Sequence, residues 1–153
     1  MEIEPSLAHY LETTRIPLRL ACTMETGWPL VLSLWYLLEE DALYCATPES
    51  AKVVTHLRAD PRCSFEVASD LPPYCGVRGR ALASIDTQRG WEILERLLLR
   101  YLGGLNNKLA ENLLSRSDPE VAIRLEPQSL FTWNFSQRMA DLLLNQQEKV
   151  CPE

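Results

Sequence analysis

The feature that most constrains this chain is the run of short apolar segments between Pro17 and Ile85. Turn residues cut it repeatedly, and room for a helix occurs at one place within it. Pro17–Thr23 (PLRLACT) alternates loosely. Glu25-Thr26-Gly27 supplies a turn, and Pro29–Leu38 (PLVLSLWYLL) follows. The pair predicts a β-hairpin. A third strand is expected at Ala42–Ala46, a fourth at Arg62–Ala68 and a long fifth at Tyr74–Ile85. Gly76 and Gly79 inside the fifth predict a bulge or a close approach by another backbone. The one helix among these strands runs from about Ser50 to Ala59, with Val53, Val54 and Leu57 on one side, and Asp60-Pro61 stops it.

Helices are expected on the flanks. Residues 5–14 place Leu7, Tyr10 and Leu11 on one face. Asp86 is expected to cap a helix in which Trp91, Leu94, Leu98 and Tyr101 recur at helical spacing until Gly103-Gly104. A short helix follows at Asn106–Ser115. Two final strands, Val121–Leu125 and Leu130–Phe135, are expected around a turn at Glu126-Pro127-Gln128, then a last helix at about 136–147. A doubly wound sheet would need helices between most strands, so the pattern favours a mostly β (α+β) fold. The architecture expected is an antiparallel barrel of six to seven strands with flanking helices. The length of 153 residues suits one domain.

Composition narrows the function classes. Lys plus Arg is 15 and Asp plus Glu is 21, a net charge of −6. Wholesale nucleic-acid binding needs an excess of cations, so no nucleic-acid partner is expected. The longest near-apolar run, Trp28–Leu38, is too short to span a bilayer, and the acidic start lacks the regions of a signal peptide. The five cysteines, Cys22, Cys45, Cys63, Cys75 and Cys151, form no CxxC and no zinc spacing with His9 and His56. They read as reduced, buried, small hydrophobes, which makes a reducing cytoplasm the expected compartment and predicts no metal site.

The ordered set Gly27 to Pro29, Ser50 to Lys52, Asp60-Pro61-Arg62 and Gly76 to Gly79 resembles the pyridoxamine 5′-phosphate oxidase-like family, the FMN-binding split β-barrels. The resemblance covers roughly residues 15–135. It implies a split barrel, a homodimer and a flavin, mostly FMN, at the subunit interface, with the deazaflavin F420 or haem in some branches. An oxidoreductase is expected, with a small-molecule substrate or an electron donor such as NAD(P)H; the alternatives are a non-catalytic flavin-binding, sensing or interaction dimer, or an F420-dependent reductase. The ring chemistry belongs to the cofactor, so no catalytic side chain is expected.

The resemblance also implies site residues. Ser50, Ala51 and Lys52 would seat the FMN phosphate, with helix-start N–H groups and one cation facing a dianion. Taken alone, the spacing makes Ser50 an N-cap and Lys52 a solvated helix charge. Thr47 and the backbone of Cys45 and Ala46 would run beside the ribityl chain, or Thr47 would bond its own turn. Ser33, Leu34 and Trp35 would meet the ring; Trp35 is alternatively core. Trp133 would reach the partner's flavin or pack the dimer interface, and Tyr74 would line the same pocket or close a strand edge. Two departures stand out. Leu30 and Ala51 occupy positions where the oxidase proper has arginines, so pyridoxamine phosphate oxidase activity is not expected. Arg19 and Arg78 are the candidate substitutes. His9 and His56 are each lone and read as structural or exposed.

Overall fold

The computed structural model describes residues 1–142. Its elements are α1 (Pro5–Thr13), β1 (Leu18–Thr23), β2 (Pro29–Leu34), β3 (Leu37–Glu39), β4 (Ala42–Pro48), α2 (Lys52–Ala59), β5 (Arg62–Ala68), β6 (Cys75–Asp86), α3 (Gly90–Leu102), α4 (Lys108–Leu114) and β7 (Glu120–Asn134). A kinked 3-10 segment, Gln137–Leu142, follows. The rest of the helix expected to residue 147 lies outside the described residues. The strands form one antiparallel sheet in the order β2-β1-β5-β6-β7-β4-β3.

The sheet curls around a core that includes Leu18, Leu20, Leu43, Cys45, Val54, Phe65, Val77, Ile123 and Leu125. The order leaves β2 at one edge and β3 at the other, without ladder pairing between them. That gap is the split. The expected single strand Pro29–Leu38 spans it. Pro29–Leu34 pairs with β1, whereas Leu37–Glu39 pairs with β4 at the opposite edge. The apolar run was continuous in sequence, but its two halves answer to different neighbours.

The crossing at Trp35-Tyr36 is pinned from outside. Trp35 stacks on Tyr101 with ring centroids 5.0 Å apart. The Tyr36 hydroxyl donates to the Leu11 carbonyl at 2.9 Å. Arg100 of α3 donates to the carbonyls of Leu11, Glu12 and Thr14 at 2.7, 2.5 and 2.7 Å. A cation thus closes the C-terminus of α1, where the helix carbonyls lack partners of their own.

α3 and α4 cover the outer face of β4 and β7. Leu37, Ala42, Tyr44, Ile93, Leu97 and Ala122 make a second core there, and Leu94, Leu98 and Ala110 a third. Burying each large aliphatic side chain contributes about 1.5–3 kcal/mol. Ala42 to Cys45 and Val121 to Ile123 are therefore buried on both faces, which erases the alternation of a half-exposed strand. Glu39 ties β3 to α3: Arg89 reaches it at 2.9 Å, Arg96 also pairs with it, and both arginines pair with Glu92.

Three local expectations change. The two last strands are one, β7. Pro127 sits opposite Ala81 at a bulge after Arg80, a kind of strand position that tolerates a residue without an N–H. Asp86 closes the turn ahead of α3, accepting from the amides of Gln88 and Arg89, and α3 begins at Gly90. Finally, Cys75 is disulfide-bonded, against the expected reduced state. Cys22, Cys45 and Cys63 are free buried thiols, and Cys151 lies outside the described residues. Apolar surroundings suit a thiol and a half-cystine alike, so strand context could not separate them. With Cys75 bonded, the cysteines no longer argue for a reducing compartment. The close approaches expected at Gly76 and Gly79 are present. A Cβ would lie 2.6 Å from the Val67 carbonyl at Gly76 and 2.7 Å from the Ser129 carbonyl at Gly79. Among the described residues no helix is long and apolar enough to cross a membrane.

Candidate functional site

The split opens into a cleft of about 240 Å³. Ser33, Leu34 and Trp35 form one wall, and Ala46, Thr47 and Pro48 at the end of β4 form the other. Leu94 and Leu97 of α3 and Leu113 of α4 supply apolar cover, with Arg116 and Glu120 adding charge. Five residues expected at the site from sequence therefore meet here, although β2 and β4 are not neighbours in the sheet. Alternation explains Ser33: Leu30, Leu32 and Leu34 turn to the barrel core, leaving Ser33 exposed. Cys45 points the other way. Its side chain is fully buried in the barrel core, where burial pushes its thiol pKa up, and Cys45 does not line the cleft.

The expected phosphate seat adjoins this wall along the chain. Lys52 is the first residue of α2 and is exposed; Ala51 is the N-cap, with no side-chain capping bond. Ser50 does not cap the helix. Its hydroxyl donates to the Asp118 carboxylate. The Glu49 amide donates to the Pro119 carbonyl at 2.7 Å, and the Glu49 carboxylate holds Arg58 at 2.6 Å. One cation thus faces solvent beside two carboxylates that already have partners. Arg62, the other nearby cation, is taken by Asp60 at 2.7 Å.

Arg19 and Arg78 lie elsewhere, on the outer face of the sheet. Ser33, Arg19, Glu66, Arg78 and Phe131 form one cross-strand row. Arg19 pairs with Asp70 at 2.5 Å, and Arg78 stacks over Phe131 at 4.7 Å. Both line a groove of about 550 Å³ rather than the cleft. Trp133 and Tyr74 sit at the far end of β6 and β7. Trp133 is paired with Gly76 and stacks near Phe131, and the Tyr74 carbonyl accepts from the Phe135 amide. Neither lines the cleft of its own chain. His9 is exposed and His56 belongs to α2; neither lines the cleft. Among the described residues no cluster of His, Cys, Asp or Glu could hold a metal.

Sequence reasoning missed Arg116 and Glu120. Asp118-Pro119 marks a break in the sequence, and neither charge beside it carried a functional expectation. Glu120 opens β7 opposite Pro48 and is only 2% exposed. Its Oε1 lies 3.7 Å from Arg116 Nη1, and its Oε2 has no hydrogen-bond partner. Burial raises its pKa; Asp118 pushes the same way and Arg116 opposes. A carboxyl at the edge of an apolar strand pattern is the one signal that could have marked it.

No family model matches the chain, and no curated protein matches it. Solved structures do. An F420 reductase superposes with a TM-score of 0.69 at 19% identity, over 84% of this chain and 98% of that one. The heme storage protein HutZ from Vibrio cholerae gives 0.64 at 20%, over 86% and 94%. A FAD-binding protein from Mesorhizobium loti gives 0.61 at 19%, over 86% and 94%. The fold is therefore the split barrel of the proteins related to pyridoxamine 5′-phosphate oxidase. The fold alone does not select among the groups those names carry.

Proposed function

We propose that this chain binds a flavin-type cofactor in the cleft between β2 and β4 and serves as an oxidoreductase in a homodimer. The observation that carries this reading is the convergence of Ser33, Leu34, Trp35, Ala46 and Thr47 on one cleft with Arg116 and Glu120. Hydroxyls, a guanidinium and a carboxyl within aliphatic cover suit a polar aromatic ring. A bound flavin would supply the electron-transfer chemistry. The protein's part is to hold the ring edge, exclude water with Leu94, Leu97 and Leu113, and leave one face open to the electron donor or substrate.

FMN is the first choice, because Lys52 and the uncapped start of α2 offer a phosphate a cation and N–H groups. The carboxylates of Glu49 and Asp118 temper that seat. F420 is the second reading. Its longer anionic tail would need Arg58 and Arg62, both of which already hold carboxylates. Haem is the least supported by this geometry, since neither histidine lines the cleft.

A second copy belongs to the proposal for two reasons. A cleft of about 240 Å³ falls below the roughly 300–1,000 Å³ of sites that bury a ligand this large, so another wall is required. The outer sheet face also exposes Val31 and Phe131 at 64% and 55%, beside Arg19, Arg78 and Glu66. Mixed charge around apolar residues suits a self-complementary face. Trp133, on the same face as Phe131, would then act on the partner's site.

The test is an absorption spectrum of freshly purified protein, followed by titration with FMN and with F420. Saturable binding of either supports the reading and chooses the cofactor. A colourless protein that binds neither overturns it.

A further inference from the structure

A buried carboxyl oxygen without a partner is costly unless something fills the position. Glu120 Oε2 is such an atom, and Glu120 is among the residues that line the cleft. The other oxygen of the same carboxyl faces Arg116, a fixed donor that also lines the cleft. An acceptor and a donor therefore stand side by side where the chain enters β7, with Leu94, Leu97 and Leu113 lining the same cleft. The group that satisfies both carries an N–H next to a C=O. A phosphate or carboxylate would meet Arg116 but set its charge against Glu120, and an aliphatic group would satisfy neither.

We infer that Glu120 and Arg116 read an imide edge of the ring ligand, Glu120 accepting from its N–H and Arg116 donating to the neighbouring carbonyl. This rests on the reading of the cleft as a ring-binding site, and it deepens that reading. The pyrimidine edge of a flavin offers such an N–H between two carbonyls, and a deazaflavin offers the same edge. Haem presents carboxylates instead. The pair thus selects flavins and deazaflavins over haem, and it does so through side chains at the start of β7. Either protonation state of Glu120 keeps an oxygen that accepts, so the contact does not require an ionised carboxyl.

The experiment uses riboflavin and N3-methylriboflavin, which lack phosphate and differ only at the imide N–H. Both are titrated against the full chain and its Glu120→Ala and Glu120→Gln variants by flavin fluorescence. The N3-methyl group is expected to weaken binding about tenfold or more in the original chain. In Glu120→Ala, riboflavin weakens by a similar factor and the methyl group adds nothing further; Glu120→Gln, which keeps an acceptor, stays near the original. Equal binding of the two flavins by the original chain overturns the inference while leaving a flavin site in place. So does a methyl penalty that persists in Glu120→Ala. If that variant fails to fold, the comparison of the two flavins on the original chain decides. Absence of binding by FMN, riboflavin and F420 alike overturns the inference together with the reading beneath it.

Discussion

Gly90 is where the helical cover is fixed to the barrel, and replacing it should show how closely. It is the first residue of α3 and is buried. A Cβ there would stand 1.9 Å from the Glu120 carbonyl oxygen, 2.2 Å from its carbon and 2.6 Å from the Val121 amide nitrogen. Ordinary contact begins near 3.4 Å, so Gly90→Ala must separate α3 from β7 by about 1.5 Å. The obstacle is the backbone at the start of β7, which cannot swing aside as a side chain can. Overpacking of this kind costs typically 1–3 kcal/mol, and a backbone clash belongs at the top of that range. Alanine's better helix propensity returns at most about 1 kcal/mol. A net loss of about 2 kcal/mol lowers Tm by roughly 4–8 °C in a chain of this size. Thermal unfolding followed by circular dichroism measures it, with Gly104→Ala as control, since a Cβ there meets nothing within 4 Å. Because α3 and Glu120 both wall the cleft, flavin affinity should fall with the Tm. A Gly90→Ala protein melting within 1 °C of the original would refute the packing argument.

Other outcomes follow from the same geometry. Lys52→Ala should weaken FMN roughly tenfold or more while leaving riboflavin unchanged, because the lysine can serve only the phosphate; parallel fluorescence titrations check this. Asp118→Asn should act oppositely, tightening FMN but not riboflavin, since it removes a negative charge bound to Ser50. Glu120 has a folded-state pKa above its ordinary value. The folded chain therefore keeps a proton that the unfolded chain releases, and that advantage is full below the ordinary Glu pKa and lost as pH rises through the raised one. Glu120→Gln should accordingly gain in Tm relative to the original at pH 7.5, and the gain should vanish by pH 4. Phe131→Glu should turn a dimer into a monomer by light scattering, and weaken flavin binding with it.

Much of the barrel was legible because its strands are short, punctuated and half-buried. The limits of β1, β5 and β6 follow from apolar runs bounded by Asp60-Pro61, Asp70 to Pro73 and Asp86. The split was not legible. Nothing in PLVLSLWYLL marks where the chain leaves β1 and joins β4, because Trp35 and Tyr36 are as apolar as their neighbours and are positioned by Tyr101 and Leu11 far along the chain. Pro127 misled in the opposite direction, suggesting a turn where a bulge let the strand continue. The cleft was half legible. Ser33 to Trp35 and Ala46-Thr47 came from a resemblance, and the structure brings them together. Arg116 and Glu120 were missed, because a loop charge and a buried acid look identical until the fold closes over one of them.

The central claim is that the ring binds in the cleft between β2 and β4. Filling that cleft tests it most directly. Thr47→Tyr places a large side chain in a space of about 240 Å³ at a half-buried position. Riboflavin and FMN should bind the original chain saturably and should fail to bind Thr47→Tyr, with the Tm of that variant holding near the original. Undiminished flavin binding by a folded Thr47→Tyr protein would contradict the account and place the site elsewhere.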